Sequence, residues 1–204
     1  YSSAASDVYK RQEPSPFRHT VLMYGSSILH GACASRSGLA YPARMSRNTG
    51  INFVNYGLSG NGKMEAAVAD MLKDIDADAF ILDCMPNPSP KEITERTQYL
   101  VNTIRKYHQG TPIIMIETYM RENGYSDQAV HDRCTRQGEA FVKQYELLKK
   151  QGIKDLYLIR DNHAIGTDHE GSVDGTHPND LGFDRMVEQY QPQIMRILKK
   201  YGIK

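Results

Sequence analysis

The sequence has no long apolar run. Its longest hydrophobic stretches, residues 79–82 and 113–116, are far shorter than the ~20 residues needed to cross a bilayer, so no membrane partner is expected. It also lacks an excess of one charge. Lys and Arg number 25 against 24 Asp and Glu, and a net charge of +1 leaves no footprint for a dedicated nucleic-acid or anionic-membrane binder. Cysteine is scarce. Cys33, Cys84 and Cys134 form no CxxC pair and no zinc spacing, and an odd count argues against a disulfide framework, without fixing a compartment. What is present is ordinary: 204 residues, 40% hydrophobic and 24% charged, which excludes wholesale disorder and a fibrous repeat. A chain of this length buries roughly 70% of the surface that its unfolded form exposes.

The chain opens on Tyr1 rather than Met, and Asp7-Val8-Tyr9-Lys10-Arg11-Gln12 resembles the in-frame translation of a transposon-end sequencing adapter. Residues 1–12 are therefore expected to be non-native, with the natural sequence beginning near Glu13 and one domain over 13–204. No targeting segment is read, so the compartment stays open.

From Thr20 onward, short apolar runs alternate with stretches of helical period. The runs are 20–24, 51–56, 79–84, 112–118 and 156–159, each rich in Val, Ile, Leu, Phe or Tyr as buried parallel strands are. Ile93, Leu100, Ile104 and Tyr107 form one helical stripe, and Val130, Cys134, Phe141, Tyr145 and Leu148 another. A last helix from about Asp180 presents Met186, Tyr190, Ile194 and Ile197. Five strands alternating with helices predict an α/β fold: a three-layer α/β/α, doubly wound, five-stranded parallel sheet in the flavodoxin-like order 2-1-3-4-5. That order puts the binding crevice at the carboxyl ends of the first and third strands, so the chemistry is sought after each strand.

After strand one comes Gly25-Ser26-Ser27-Ile28, a serine on a tight turn into a helix. Such a turn exposes the hydroxyl and suits a nucleophile, but equally an N-cap or a phosphate cradle. After strand two, Gly57, Gly60 and Gly62 let the backbone approach a ligand closely, or simply make a turn, and no P-loop Lys-Ser/Thr follows. After strand three, Asn87 stands between Pro86 and Pro88, where its amide can donate to an oxyanion or begin an Asx-turn. Before the last helix, Asp174-Gly175-Thr176-His177-Pro178 sets an Asp and a His three residues apart, so that Asp174 can orient the imidazole of His177 as a general base, or the two only pin the loop. Asp161, His163, Asp168 and His169 crowd the same stretch without a recognised metal-ligand spacing, and no metal is expected.

Taken together, a Ser after strand one, a Gly after strand two, an Asn after strand three and Asp-x-x-His before the final helix resemble the SGNH (GDSL-type) hydrolases. The four blocks span residues 24–180. The resemblance implies Ser27 as nucleophile, His177 as base, Asp174 as its partner, and Ser27, Gly60 and Asn87 as oxyanion donors. It also implies no cofactor. Two departures stand out: Gly25-Ser26-Ser27 replaces the usual Gly-Asp-Ser, and Met85-Pro86-Asn87-Pro88 replaces Gly-x-Asn-Asp. Gly-Ser-Ser-Ile, Cys-Ala-Ser-Arg at 33–36, Asp-Cys-Met-Pro-Asn and Asp-Gly-Thr-His-Pro are similar to a bacterial esterase subgroup. Those proteins often carry a β-rich domain before the hydrolase domain, and such an upstream domain is expected here.

The expected activity is hydrolysis of short-chain carboxylic esters, acetyl above all, on a small molecule or carbohydrate, through an acyl-serine intermediate. Tyr119, Arg121 and Tyr125 follow strand four and are read either as the alcohol side of the site or as an ordinary polar loop. Arg36 is read as a substrate contact or a loop-fixing ion pair. Two rivals stay open: a non-catalytic glycan-binding module on the same scaffold, and a flavodoxin-like binder of a phosphorylated cofactor.

Overall fold

The computed structural model describes residues 16–204, and the expected adapter-derived segment 1–12 lies outside the described residues. Five strands, β1 (Thr20–Gly25), β2 (Asn52–Gly57), β3 (Ala79–Asp83), β4 (Ile113–Ile116) and β5 (Leu156–Ile159), form one sheet in the order β2-β1-β3-β4-β5. Every pairing is parallel, with Gly25 level with Gly57 on one side and with Asp83 on the other. This is the predicted doubly wound α/β/α arrangement.

The central strands β3 and β4 are buried along their whole length, as β1 is after Thr20, which explains why they read as continuous apolar runs. Their alternate residues divide between two cores. Val21, Met23, Ile81 and Ile114 face α2 (Tyr41–Thr49) and α6 (Asp180–Leu198), which contribute Tyr41, Met45, Phe183, Met186, Tyr190 and Ile194. Leu22, Tyr24, Phe80, Leu82 and Met115 face the other side. There α3 (Ala66–Leu72), α4 (Pro90–Tyr107) and α5 (Gln128–Lys150) supply Leu72, Ile93, Leu100, Ile104, Phe141 and Leu148. Each such side chain contributes roughly 1.5–3 kcal/mol on burial.

Local signals fix the helix starts. Ser89 and Glu92 close a capping box on α4, with Pro90 in its first turn, and Asp127 caps α5. Asn179 accepts from Gly182 N–H to start α6 directly behind His177. One stripe residue departs from expectation: Tyr107, at the last turn of α4, is 52% exposed rather than in the core. Its ring instead lies 5.4 Å beneath each of the Lys73 and Lys106 ammonium groups.

Candidate active site

Strand β1 ends at Gly25, whose added Cβ would stand 2.3 Å from the Asp83 carbonyl oxygen, so only glycine lets β1 and β3 lie this close here. The chain then turns into a single helical turn, α1 (Ser27–His30). Ser26 is fully buried, and its hydroxyl accepts from Ile28 N–H at 3.2 Å. The residue that replaces the usual acid is thus the cap of this turn. Capping by Ser26 leaves Ser27 as the first helical residue, 8% exposed, with no acceptor for its N–H among the described residues.

The Ser27 hydroxyl donates to His177 Nε2 at 2.9 Å, and His177 Nδ1–H donates to Asp174 Oδ2 at 2.7 Å. The partners assign the tautomer: a carboxylate only accepts, so the proton sits on Nδ1 and Nε2 is left basic. Asp174 Oδ1 also accepts the N–H groups of Thr176 at 2.9 Å and His177 at 2.7 Å. Burial works against ionisation of Asp174, but the bonds from the His177 side chain and from these two N–H groups outweigh it and hold the carboxyl down at about 2. The loop around it is tied down. Tyr119 OH donates to the Thr176 carbonyl at 2.8 Å, Ser172 OH donates to the His177 carbonyl at 3.1 Å, and Ser172 bridges to Pro178.

Ser27, His177, Gly60 and Asn87 line one cleft of about 450 Å³, together with Lys63 and Arg121. Asp174 stands behind the imidazole. Gly60 has φ +72° and open space on its Cβ side, and no described residue accepts from its N–H. The Asn87 amide donates to the Asn61 carbonyl, which links the loops after β2 and β3 and leaves a second amide hydrogen to spare. The departure at 85–88 also has a physical account. Gln137 of α5 is 1% exposed, and its amide donates to the carbonyls of Met85 at 3.2 Å, Pro86 at 3.1 Å and Pro88 at 2.5 Å. Arg121 donates to the Pro86 carbonyl at 2.7 Å and Arg133 to the Asn87 carbonyl at 3.3 Å. Two prolines and five donated bonds thus hold the loop that carries Asn87.

Beneath the site, Asp83 is 2% exposed and accepts from Tyr41 OH at 2.7 Å and Thr118 OH at 3.5 Å. Burial pushes its carboxyl up to about 7, against the pull of those two bonds. Of the other residues that follow strand four, Tyr119 is buried and Tyr125 lies against the His169 ring. Arg36 is exposed and its charge helps to lower the Asp180 carboxyl, behind the bonds of Ser35.

The residues weighed for a metal disperse to separate partners. Asp168 takes both Arg185 nitrogens at 2.6 Å, His169 meets Glu122 at 2.7 Å, and Asp161 accepts from Ala164 N–H at 3.0 Å. Among the described residues, the metal-ligating group that does come together is Cys33, Asp174 and His177, with ligand atoms within 4.8 Å of one another. Burial, then the charge of Asp174, raises the Cys33 thiol above its ordinary value. A larger cavity of about 680 Å³, bordered by Glu117, Cys134 and Asp161, does not contain Ser27 or His177.

Asp83, Gln137, Lys63 and Arg133 come to the site only through the fold. For Gln137 a signal existed: it falls on the apolar stripe between Cys134 and Phe141, where a polar residue calls for buried partners.

The sequence model of the GDSL-like lipase/acylhydrolase family matches residues 18–195. A Bacteroides ovatus protein described as a GDSL-like lipase is 60% identical, with a TM-score of 0.90 over 93% of this chain and 56% of its own. This chain therefore spans little more than half the length of that relative. Two more distant structures share the fold. A salicylyl-acyltransferase from a tetracycline biosynthetic pathway is 19% identical, with a TM-score of 0.73 over 91% of this chain and 56% of its own. A carbohydrate acetylesterase family member from Sinorhizobium meliloti is 14% identical, with a TM-score of 0.65 over 89% of this chain and 99% of its own. No curated protein matches the chain. The family match over most of its length, and the close relative, show that this chain belongs to the GDSL-like lipase/acylhydrolase family.

Proposed function

We propose that the protein is a serine esterase that hydrolyses short-chain carboxylic esters, acetyl esters of carbohydrates among them, through an acyl-serine intermediate. The observation that carries the reading is the continuous relay from Ser27 through His177 to Asp174, at 2.9 and 2.7 Å, opening on a cleft where, among the described residues, the Ser27 and Gly60 N–H groups have no acceptor. Ser27 Oγ attacks the ester carbonyl carbon as His177 Nε2 takes its proton. The resulting oxyanion is met by the N–H groups of Ser27 and Gly60 and by the Asn87 amide. Asp174 stays ionised and stabilises the imidazolium. Collapse expels the alcohol, which receives the proton from His177. Water then attacks the acyl-serine with His177 again as base, and the carboxylic acid leaves as Ser27 regains its proton.

The S. meliloti structure of the same fold is described as a carbohydrate acetylesterase family member, which favours an acetyl ester. A glycan-binding module would have no use for an imidazole whose two nitrogens are both committed to the relay. A double-mutant cycle tests the proposal. Ser27→Ala and His177→Ala should each nearly abolish turnover of an acetyl ester, and the double variant should lose no more than either single one, because the pair acts as a unit. Additive losses, or activity retained in either variant, would refute it.

A further inference from the structure

The active-site cleft is cationic. Lys63, Arg121 and Arg133 all line it, and among the described residues no carboxylate does. Among the described residues none of the three forms an ion pair, whereas Arg44, Arg96, Arg160 and Arg185 each meet a carboxylate within 3.0 Å. The nearby acids are already engaged. Asp174 is taken by His177 and Thr176, and Glu65 accepts from Tyr24 OH at 2.6 Å and from the Lys63 N–H at 2.8 Å. Glu92 feels the charge of Lys63 but serves the α4 capping box and pairs with Arg96. Arg121 and Arg133 each commit one nitrogen to a backbone carbonyl, which fixes each guanidinium at the cleft wall with most of its five N–H donors unspent.

Three positive charges, two of them anchored, are more than one transient oxyanion requires, and in the proposed mechanism the oxyanion already has neutral donors at Ser27, Gly60 and Asn87. We propose that the substrate is an ester that carries a carboxylate or comparable anionic group close to the scissile bond, bound by Lys63, Arg121 and Arg133. This inference rests on the esterase reading and names its substrate class. A carboxylate on the alcohol side, as in an acylated acidic sugar, and one on the acyl side present the same chemistry to these cations. Association should be steered as well as stabilised, so the preference should weaken with salt.

Matched esters test this on the full chain. For the alcohol side, 4-acetoxybenzoate is compared with its methyl ester; for the acyl side, 4-nitrophenyl hemisuccinate is compared with 4-nitrophenyl butyrate. The expected result is a kcat/KM preference of about tenfold or more for the anionic member of one pair, since hydrogen bonds to charged groups exceed neutral ones by that order. The pair that shows it identifies the side. The preference should shrink as salt is added, and the anionic-to-neutral ratio should fall toward one in Lys63→Gln and in Arg121→Gln. Because the readout is a ratio, general damage to the site by a variant cancels. Equal or poorer turnover of both anionic esters, or a preference that survives both substitutions and high salt, would overturn the proposal. If none of the four esters is hydrolysed, the esterase reading is what fails. The subsite is then tested by calorimetric titration of 4-hydroxybenzoate and its methyl ester into Ser27→Ala, where equal affinity would overturn it and tighter carboxylate binding, lost in Arg121→Gln, would support it.

Discussion

Asp83 ties stability to pH in a way that one substitution isolates. The carboxyl sits at the end of β3 with 2% exposure, and burial lifts it to about 7 although Tyr41 and Thr118 donate to it. In the unfolded chain it titrates near 3.9, so between about pH 4 and pH 7 the folded state keeps a proton that the unfolded state has lost. A raised folded-state value means that the stabilising contribution is fully present below about pH 4 and is lost as pH rises through about 7. Three units of separation at 1.36 kcal/mol each amount to roughly 4 kcal/mol. Asp83→Asn cannot ionise and keeps an oxygen for the Tyr41 hydroxyl. Its stability relative to the wild type should therefore improve by about 4 kcal/mol between about pH 4 and pH 8, most of it before pH 7. Urea unfolding followed by far-ultraviolet circular dichroism suits a chain without tryptophan. Because the two proteins share every other titrating group, the depressed carboxyls of Asp174 and Asp168 cancel in the difference. Parallel stability curves for wild type and variant across this range would mean that the folded state does not hold a proton on Asp83.

Other expectations concern the site directly. In the proposed mechanism Asn87→Ala removes one oxyanion donor, so kcat should fall by about 10²–10³ with a smaller change in KM, measured by steady-state hydrolysis. Gln137→Leu keeps the bulk but leaves buried carbonyls of the 85–88 loop without their donor. It should cost about 1–3 kcal/mol in urea unfolding and lower kcat more than it raises KM, whereas intact kcat would show that the clamp does not position Asn87. Gly62 has φ +68°, and an added Cβ would stand 2.2 Å from the Gly25 carbonyl oxygen. Gly62→Ala should therefore destabilise by more than about 2 kcal/mol in the same assay, the left-handed backbone alone costing 1–2. Unchanged stability would mean that the turn after β2 can move away from β1.

The sheet and its strand order were readable because each buried strand is a short apolar run, and the right-handed crossover rule leaves few ways to connect them. Ser27, Gly60, Asn87, Asp174 and His177 were readable as a set because each follows a strand or precedes the last helix, where this topology gathers loops. Their roles rest on the chemistry proposed above. What the sequence concealed depends on long-range packing. Gln137 reaches Met85 across 52 positions and Arg133 reaches Asn87 across 46, and neither contact leaves a local pattern. Tyr107 keeps the helical spacing of α4, but the buried face passes from Ile104 to His108, whose ring meets the buried Phe80 at 4.7 Å, and Tyr107 falls beside that face.

The proposed mechanism places the acyl group on Ser27. Acid-quenched turnover of 4-nitrophenyl acetate, with peptide mass spectrometry on the wild type and on Ser27→Ala, tests it most directly. An acetylated peptide that contains Ser27 is expected, with nitrophenol release that is lost in the variant. Release that persists in Ser27→Ala, or turnover with the acetyl group trapped on another residue, would contradict it.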